Sequence, residues 1–276
     1  NADFGYQPTT ADVGQIGDTV WLDANANGAQ DANGVNEIGL AGVTVTLIAD
    51  LNGDGIWDPD GADNTPGTPD DEPIIATDIT DSNGNYLFSG LPATDVEDYL
   101  VWVNDTENVL SEFEPTYDDD DQTPPILTPN ISVVTDLTTA GDDEQDFGYA
   151  PPNHETGEGL IGDTVFLDLN GNGVFDPGEG IEGVVVRLYA ADGTSLLAET
   201  TTNEDGVYAF GNLNVDQTYI VQVQTGTLPY PGLTNTVVPD GGNDSLSTVT
   251  LTTADPINLD QDFGYRDTSD PNTIEG

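Results

Sequence analysis

The chain repeats itself, and this repetition limits its fold more than any other feature. IGDTVWLD at residues 16–23 returns as IGDTVFLD at 161–168, and GLAGVTVTL at 39–47 returns as GIEGVVVRL at 180–188. TDITDSNGNYLFSGL at 77–91 answers TTTNEDGVYAFGNL at 200–213, and DFGY closes both copies, at 146–149 and 262–265. Such self-similarity marks one supersecondary unit used twice. DFGY also stands at 3–6, where no copy precedes it, so the chain reads as two repeats behind the tail of another. The expected layout is a tail strand and linker over 1–15, a first domain over 16–150, a linker over 151–160, a second domain over 161–266 and a connector over 267–276. The prolines and polar residues of APPNHETGEG, 150–159, favour a linker there. The opening NADFGY reads as mid-protein sequence: a window on a longer array, or a stray strand at 1–7 that pairs with another copy by strand addition.

Within each copy the apolar period is two. Val43, Val45 and Leu47 fall on one face with Thr44 and Thr46 on the other, and Val184, Val186 and Leu188 repeat the pattern. About seven strands are expected per repeat, in the first near 17–22, 42–48, 74–80, 85–90, 98–104, 131–137 and 145–149. Turn signals such as SNGN and EDG separate them, and no stretch sustains a helical period. The fold class is therefore all-β: two tandem antiparallel β-sandwich domains of immunoglobulin or prealbumin type.

Charge narrows the partners. With 2 basic and 52 acidic residues the formal net charge is -50, which excludes attraction to nucleic acid or to an anionic membrane and makes cations the natural partners. No apolar run approaches the ~20 residues of a spanning helix, so no membrane insertion is expected, and no signal peptide opens the chain. Cys is absent, so no disulfide can staple the fold; Lys is absent, so an intramolecular Lys-Asn isopeptide bond is chemically impossible.

Three loops carry metal-ligand spacing. A calcium loop of the helix-loop-helix kind places side-chain oxygens at positions 1, 3, 5 and 9, glycine at 6, a backbone carbonyl at 7 and an acid at 12, because a hard cation takes about six to eight oxygens and the chain must coil around it. DLNGNGVFDPGE fits throughout, with Asp168, Asn170, Asn172, the Val174 carbonyl, Asp176 and Glu179. DANANGAQDANGVNE offers Asp23, Asn25, Asn27, the Ala29 carbonyl and Asp31, with Glu37 three residues late. DLNGDGIWDPDG occurs only in the first repeat and offers Asp50, Asn52, Asp54, the Ile56 carbonyl and Asp58. Its twelfth position is Gly61, so Asp60, Asp63 or a remote acid must complete it. Asp, Asn and Gly also build ordinary turns, yet three matches in one chain, two at equivalent repeat positions, point to Ca²⁺ as the cofactor. Strands follow these loops, which excludes a dockerin.

Other polar features are less specific. Asp81, Asn83 and Asn85 read as a hairpin turn, whereas 118–121 fits a solvated loop or a cation site equally. Asp18 with Asp146, and Asp163 with Asp262, recur at strand ends where they either add ligands or cap backbone. Asn104, Asn130 and Asn243 stand in N-x-S/T sequons. LPATD at 91–95 lies mid-domain and is not a sorting signal. The single His154 falls in the linker, and with no Cys or Lys the usual nucleophile-base pairs cannot be assembled, so no enzyme is expected.

GDTVWLDANANGAQD with GLAGVTVTL, NGNYLFSGL and the closing DFGY resembles the SdrD B-like domains, the B-domain family of serine-aspartate repeat adhesins of Gram-positive bacteria, related to the collagen-adhesin B-type fold. The resemblance covers nearly the whole chain. It implies tandem extracellular β-sandwiches that bind calcium through Asp/Asn loops and act as rigid spacers at the cell surface. The chain departs from the pattern in lacking a serine-aspartate tract and any Lys, and in its additional loop at 50–61. Structural spacing or filament building is the leading expectation, with calcium ions and adjacent repeats or other copies as partners. Recognition of a glycan or protein is the alternative, through Trp57, Trp102 or Tyr230, although burial of each aromatic is expected.

Overall fold

A computed structural model describes residues 13–30, 37–61, 64–93, 98–119, 130–242 and 244–267. The chain divides into two compact units: Asn1–Leu22, Ile38–Glu107 and Pro115–Tyr149 form the first, and Asp23–Glu37, Asn108–Glu114 and Ala150–Gly276 the second. The expected strand at 1–7 lies outside the described residues, as does its pairing with another copy.

The first repeat contains β1 (Val13–Leu22), β2 (Thr44–Asp50), β3 (Ile74–Ile79), β4 (Asn85–Pro92), β5 (Asp98–Val103), β6 (Glu114–Asp118), β7 (Ile131–Val134) and β8 (Phe147–Ala150). They form two four-stranded sheets, β4-β1-β8-β6 and β3-β2-β5-β7. The period-two residues turn inward as expected: Val43, Val45, Leu47, Val101 and Phe88 are all buried. Three details depart from the sequence expectation. β6 is an additional strand. The sheet is mixed, because β1 pairs antiparallel with β4 over Val13–Thr19 and then parallel with β8 over Val20–Leu22. Finally, β2 is buried on both faces, Thr44 and Thr46 included. Trp102, the cross-strand partner of Thr46, lies on that second face, and Trp57 packs against it with ring centroids 5.1 Å apart.

The second repeat follows the same plan with β9 (Gly159–Leu167), β10 (Val185–Ala190), β11 (Leu196–Thr201), β12 (Val207–Leu213), β13 (Gln217–Val223), β14 (Leu233–Val237), β15 (Leu246–Leu251), β16 (Ile257–Asn258) and β17 (Phe263–Asp267). Its sheets run β12-β9-β17-β14 and β11-β10-β13-β15, with short β16 beside β9. β9 again pairs in parallel with β17. Ile161, Val165, Val184, Val186, Leu188, Val221, Phe263 and Tyr265 are central to one continuous apolar core.

The DFGY motif is explained by this packing. Its phenylalanine and tyrosine, Phe147 and Tyr149 in one repeat and Phe263 and Tyr265 in the other, are buried. Its glycine leaves room for a ring from the parallel partner strand: a Cβ on Gly148 would stand 2.8 Å from the Trp21 ring, and one on Gly264 2.9 Å from the Phe166 ring. Just upstream, the Tyr86 hydroxyl donates to the Gln145 carbonyl and the Tyr208 hydroxyl to the Gln261 carbonyl.

Candidate metal centre

The three acidic loops leave the ends of strands: 23–30 follows β1, 50–61 ends β2, and 168–179 follows β9. In each, the backbone coils around its own oxygens. The Asn27 amide donates to Asn25 Oδ1 (3.0 Å) and the Ala29 amide to Asn27 Oδ1 (2.8 Å). The Asp54 amide donates to Asn52 Oδ1 (2.8 Å), and that of Ile56 to Asp54 Oδ1 (2.9 Å). In the second repeat Asn172 donates to Asn170 Oδ1 and Val174 to Asn172 Oδ1, both at 2.8 Å. Position 1 accepts from the glycine at position 6 in both first-repeat loops, Gly28 to Asp23 Oδ2 (3.0 Å) and Gly55 to Asp50 Oδ2 (2.9 Å). Those glycines, with Gly173, have φ of 68–74°, a conformation that an L side chain rarely adopts. The alternating spacing read from the sequence therefore folds as a coil in which alternate side-chain oxygens accept the amide two residues on.

The loops differ at their closure. In the second repeat Glu179 Oε1 accepts the Leu169 amide (2.9 Å) and Oε2 the Asp176 amide (3.2 Å), while Asp176 Oδ2 accepts the side-chain amides of Asn170 (2.7 Å) and Asn172 (2.8 Å). The Asp168 side chain is buried at 2% exposure and its Oδ1 has no hydrogen-bond partner. In the loop at 50–61, Gly61 cannot supply the closing acid, and neither Asp60 nor Asp63 is seen to do so, Asp63 lying outside the described residues. The side chain found there is Glu72, whose Oε2 accepts the Asp58 amide at 2.7 Å. Burial pushes the Glu72 carboxyl up and the nearby Asp50 charge adds to this, against the pull of the Asp58 amide. Sequence spacing missed Glu72 because 59–71 intervene; the available signal was a glutamate at the head of the following strand. Asp31 lies outside the described residues, and Glu37 stands half-buried beside the return to the Trp21–Gly39 bridge.

Among the described residues no three His, Cys, Asp or Glu side chains are gathered into a group able to hold a metal. The donor sets here depend on Asn and on backbone carbonyls, and the acids are turned toward backbone amides. The residues nonetheless suit a hard cation: all donors are oxygens, and buried carboxylate oxygens at Asp168 and Glu72 lack a donor.

One acid of each strand-end pair caps backbone, Asp146 at the Thr19 amide and Asp262 at the Thr164 amide, whereas Asp18 and Asp163 accept the hydroxyls of the same two threonines. Asp146 Oδ1 accepts the Thr19 amide at 3.0 Å. Burial, then the Asp18 charge, pushes Asp146 up to about 7. Burial raises both Asp163 and Asp262, and the Asp262 charge raises Asp163 further. Asp81 is the anchor of a turn, accepting the Asn83 and Asn85 amides at 2.8 and 3.0 Å. Asp118 is buried at the end of β6, whereas Asp120 and Asp121 lie outside the described residues. Among the sequon residues, Asn130 Oδ1 accepts the Tyr149 hydroxyl and Asn243 lies outside the described residues. His154 is buried, with Nδ1 accepting the Asn212 amide at 3.1 Å. Trp57 and Trp102 are half-buried, but Tyr230 is 62% exposed, contrary to the burial expected of it, because it sits in a turn after the 3₁₀ segment Thr225–Thr227.

The SdrD B-like domain model matches residues 14–149 and again 159–269. Serine-aspartate repeat-containing protein D of Staphylococcus aureus strain MW2 is 30% identical over 272 residues, which is 96% of this chain and 17% of that protein. Serine-aspartate repeat-containing protein F of Staphylococcus epidermidis is 30% identical over 95% of this chain and 13% of its own length. Bone sialoprotein-binding protein of S. aureus is 31% identical over 92% of this chain and 19% of its own length. The chain thus spans under a fifth of each of these relatives. Among solved structures, the shaft pilin SpaA from Lactobacillus rhamnosus GG aligns over 94% of this chain and 99% of its own at 14% identity and a TM-score of 0.30. The major pilin SpaD from Corynebacterium diphtheriae aligns over 98% of this chain and 99% of its own at 13% identity and a TM-score of 0.29. With one family match on each repeat, together reaching from β1 to past β17, the chain belongs to the SdrD B-like domain family.

Proposed function

We propose that this chain is a pair of calcium-stabilised structural repeats that act as a stiff spacer or filament-building module of an extracellular or surface protein. The observation that carries the reading is the recurrence of one oxygen-lined coil at three strand ends, with the buried Asp168 Oδ1 lacking a donor. Family membership supports the spacer role. In the first loop Asp23, Asn25, Asn27, the Ala29 carbonyl, Asp31 and Glu37 would hold the ion; in the second, Asp50, Asn52, Asp54, the Ile56 carbonyl and Asp58. In the third, Asp168, Asn170, Asn172, the Val174 carbonyl, Asp176 and Glu179 would do so. Calcium supplies positive charge to a chain of net charge -50 that has neither Cys nor Lys for covalent staples. An ion that binds only the folded state adds about 2.7 kcal/mol per site at a hundredfold excess over Kd, so three sites rival the ~5–15 kcal/mol of a whole domain. Weak module-type sites of this kind fill at extracellular, not cytosolic, calcium levels.

The test is a thermal melt in millimolar calcium and in EGTA, with bound metal measured by elemental analysis. A large calcium-dependent rise in Tm with about one ion per loop is expected. An unchanged melt without bound metal would reduce the loops to turns and leave an acidic spacer. A second reading, recognition of a protein or glycan, is favoured by the exposure of Tyr230; it requires binding by the monomer that Tyr230→Ala abolishes.

A further inference from the structure

We infer that Glu72 is the closing ligand of the loop at 50–58, so that the first repeat holds a complete calcium site whose last carboxylate is delivered by a folded insert. This rests on the calcium reading above and assigns a residue that the loop's own spacing does not contain.

Two independent observations carry it. The first is equivalence. In the second repeat, Glu179 accepts the amides of loop positions 2 and 9, Leu169 and Asp176. Glu72 stands in the same relation to its loop: Oε2 accepts the position 9 amide of Asp58 at 2.7 Å, and the amides of Leu51, at position 2, and Asn52 also act on its carboxyl. The position 8 aromatics also correspond. Phe175 packs on Phe166, and Trp57 packs on Trp102 while its indole N–H donates to the Glu72 carbonyl at 3.2 Å.

The second observation is a buried carboxylate with one oxygen left unpartnered. Glu72 is 2% exposed, and its Oε1 is buried without a hydrogen-bond partner. Its neighbour Asp50 is also 2% exposed. The Arg187 guanidinium is paired with Glu199, and among the described residues no cationic side chain is paired with Glu72. Two buried carboxylates side by side are costly unless a cation joins them.

The intervening residues act as a fixed bracket. The Gly61 and Glu72 amides both donate to the Asp58 carbonyl, at 2.9 and 3.3 Å. Asp71 accepts the Gly67 and Thr68 amides, which closes the far side of the insert. The Ala49 amide then donates to the Pro73 carbonyl at 3.1 Å, so that Glu72 is set beside the strand end from which the loop departs.

The experiment measures calcium stoichiometry and affinity by titration calorimetry on the whole chain, as wild type, Glu72→Gln and Glu179→Gln, together with the calcium-induced rise in Tm of each. Glu72→Gln should lose one ion per chain, or weaken one site by about tenfold or more, and show a smaller calcium-induced rise; Glu179→Gln should lose a different ion. If Glu72 only braces the backbone, Glu72→Gln will lower Tm equally with and without calcium and keep every ion, which overturns the inference. Loss of an ion in Glu179→Gln but not in Glu72→Gln would leave the calcium reading standing and remove Glu72 from it. Absence of calcium binding by the wild type would remove both. Should Glu72→Gln fail to fold in EGTA, Glu72→Asp keeps the charge on a shorter arm. It should lose affinity at one site only if the carboxylate reaches the ion, and unchanged affinity at every site would overturn the inference.

Discussion

Replacing Asp146 by Asn should stabilise the first repeat at neutral pH and leave it unchanged in acid. Asp146 is raised from 3.8 to about 7, first by burial and then by the facing Asp18 charge. A group whose pKa is raised by folding lends stability that is full below its unfolded value and is lost as pH climbs through the folded one, here between 3.8 and about 7. At about 1.4 kcal/mol per pKa unit the whole shift would be worth roughly 4 kcal/mol. Asp146 is only partly buried, and solvent screening reduces this to ~1–2 kcal/mol. Asn keeps the oxygen that accepts the Thr19 amide at 3.0 Å and removes the charge that faces Asp18. The assay is urea unfolding in EGTA and moderate salt, followed by tryptophan fluorescence, since Trp21, Trp57 and Trp102 all lie in the first repeat. Above about pH 7.5 the variant should exceed wild type by ~1–2 kcal/mol, and at about pH 4 the two should coincide. A difference that does not vary with pH, or a variant that weakens as pH rises, would refute the electrostatic account of this strand end.

Gly264→Ala places a methyl group 2.9 Å from Phe166, Thr236 and Val237 at once, so urea unfolding of the second repeat should show a loss of ~1–3 kcal/mol. Arg187→Ala removes an exposed ion pair with Glu199 and should leave the urea midpoint of the second repeat nearly unchanged despite the 2.5 Å separation; a clear drop in the midpoint would mean that the pair is structural.

Strand positions were legible where one face is buried and the other is wet, as at Val184, Val186 and Leu188, because period-two alternation follows directly from the pleat. Elsewhere tertiary contacts decided the outcome. β6 spells EPTYD, which carries no alternation and a proline, and it exists because it borders β8. The parallel pairing of β1 with β8 left no trace in sequence, since a strand's composition does not encode the direction of its partner. Alternation put Thr44 and Thr46 on the face opposite Val43 and Val45 but not what covers that face: both are buried, and Trp102 and Trp57 share the face with Thr46.

The candidate site divides by the same rule of locality. The coil of each loop is made by bonds between residues two to five apart, so its Asp/Asn spacing could be read directly. The closing acid is set by where the chain returns to the strand it left. The residue before each loop donates its amide at that return: Leu22 to the Ile38 carbonyl, Ala49 to that of Pro73 and Leu167 to that of Glu179. A glutamate stands at the return itself in the last case and one residue before it, as Glu37 and Glu72, in the other two. Counting twelve positions therefore finds Glu179 and fails wherever residues are inserted between position 9 and the return. Insertions there lengthen the loop without moving its last residue in space, because the return hydrogen bond, not the loop's length, fixes where that residue arrives.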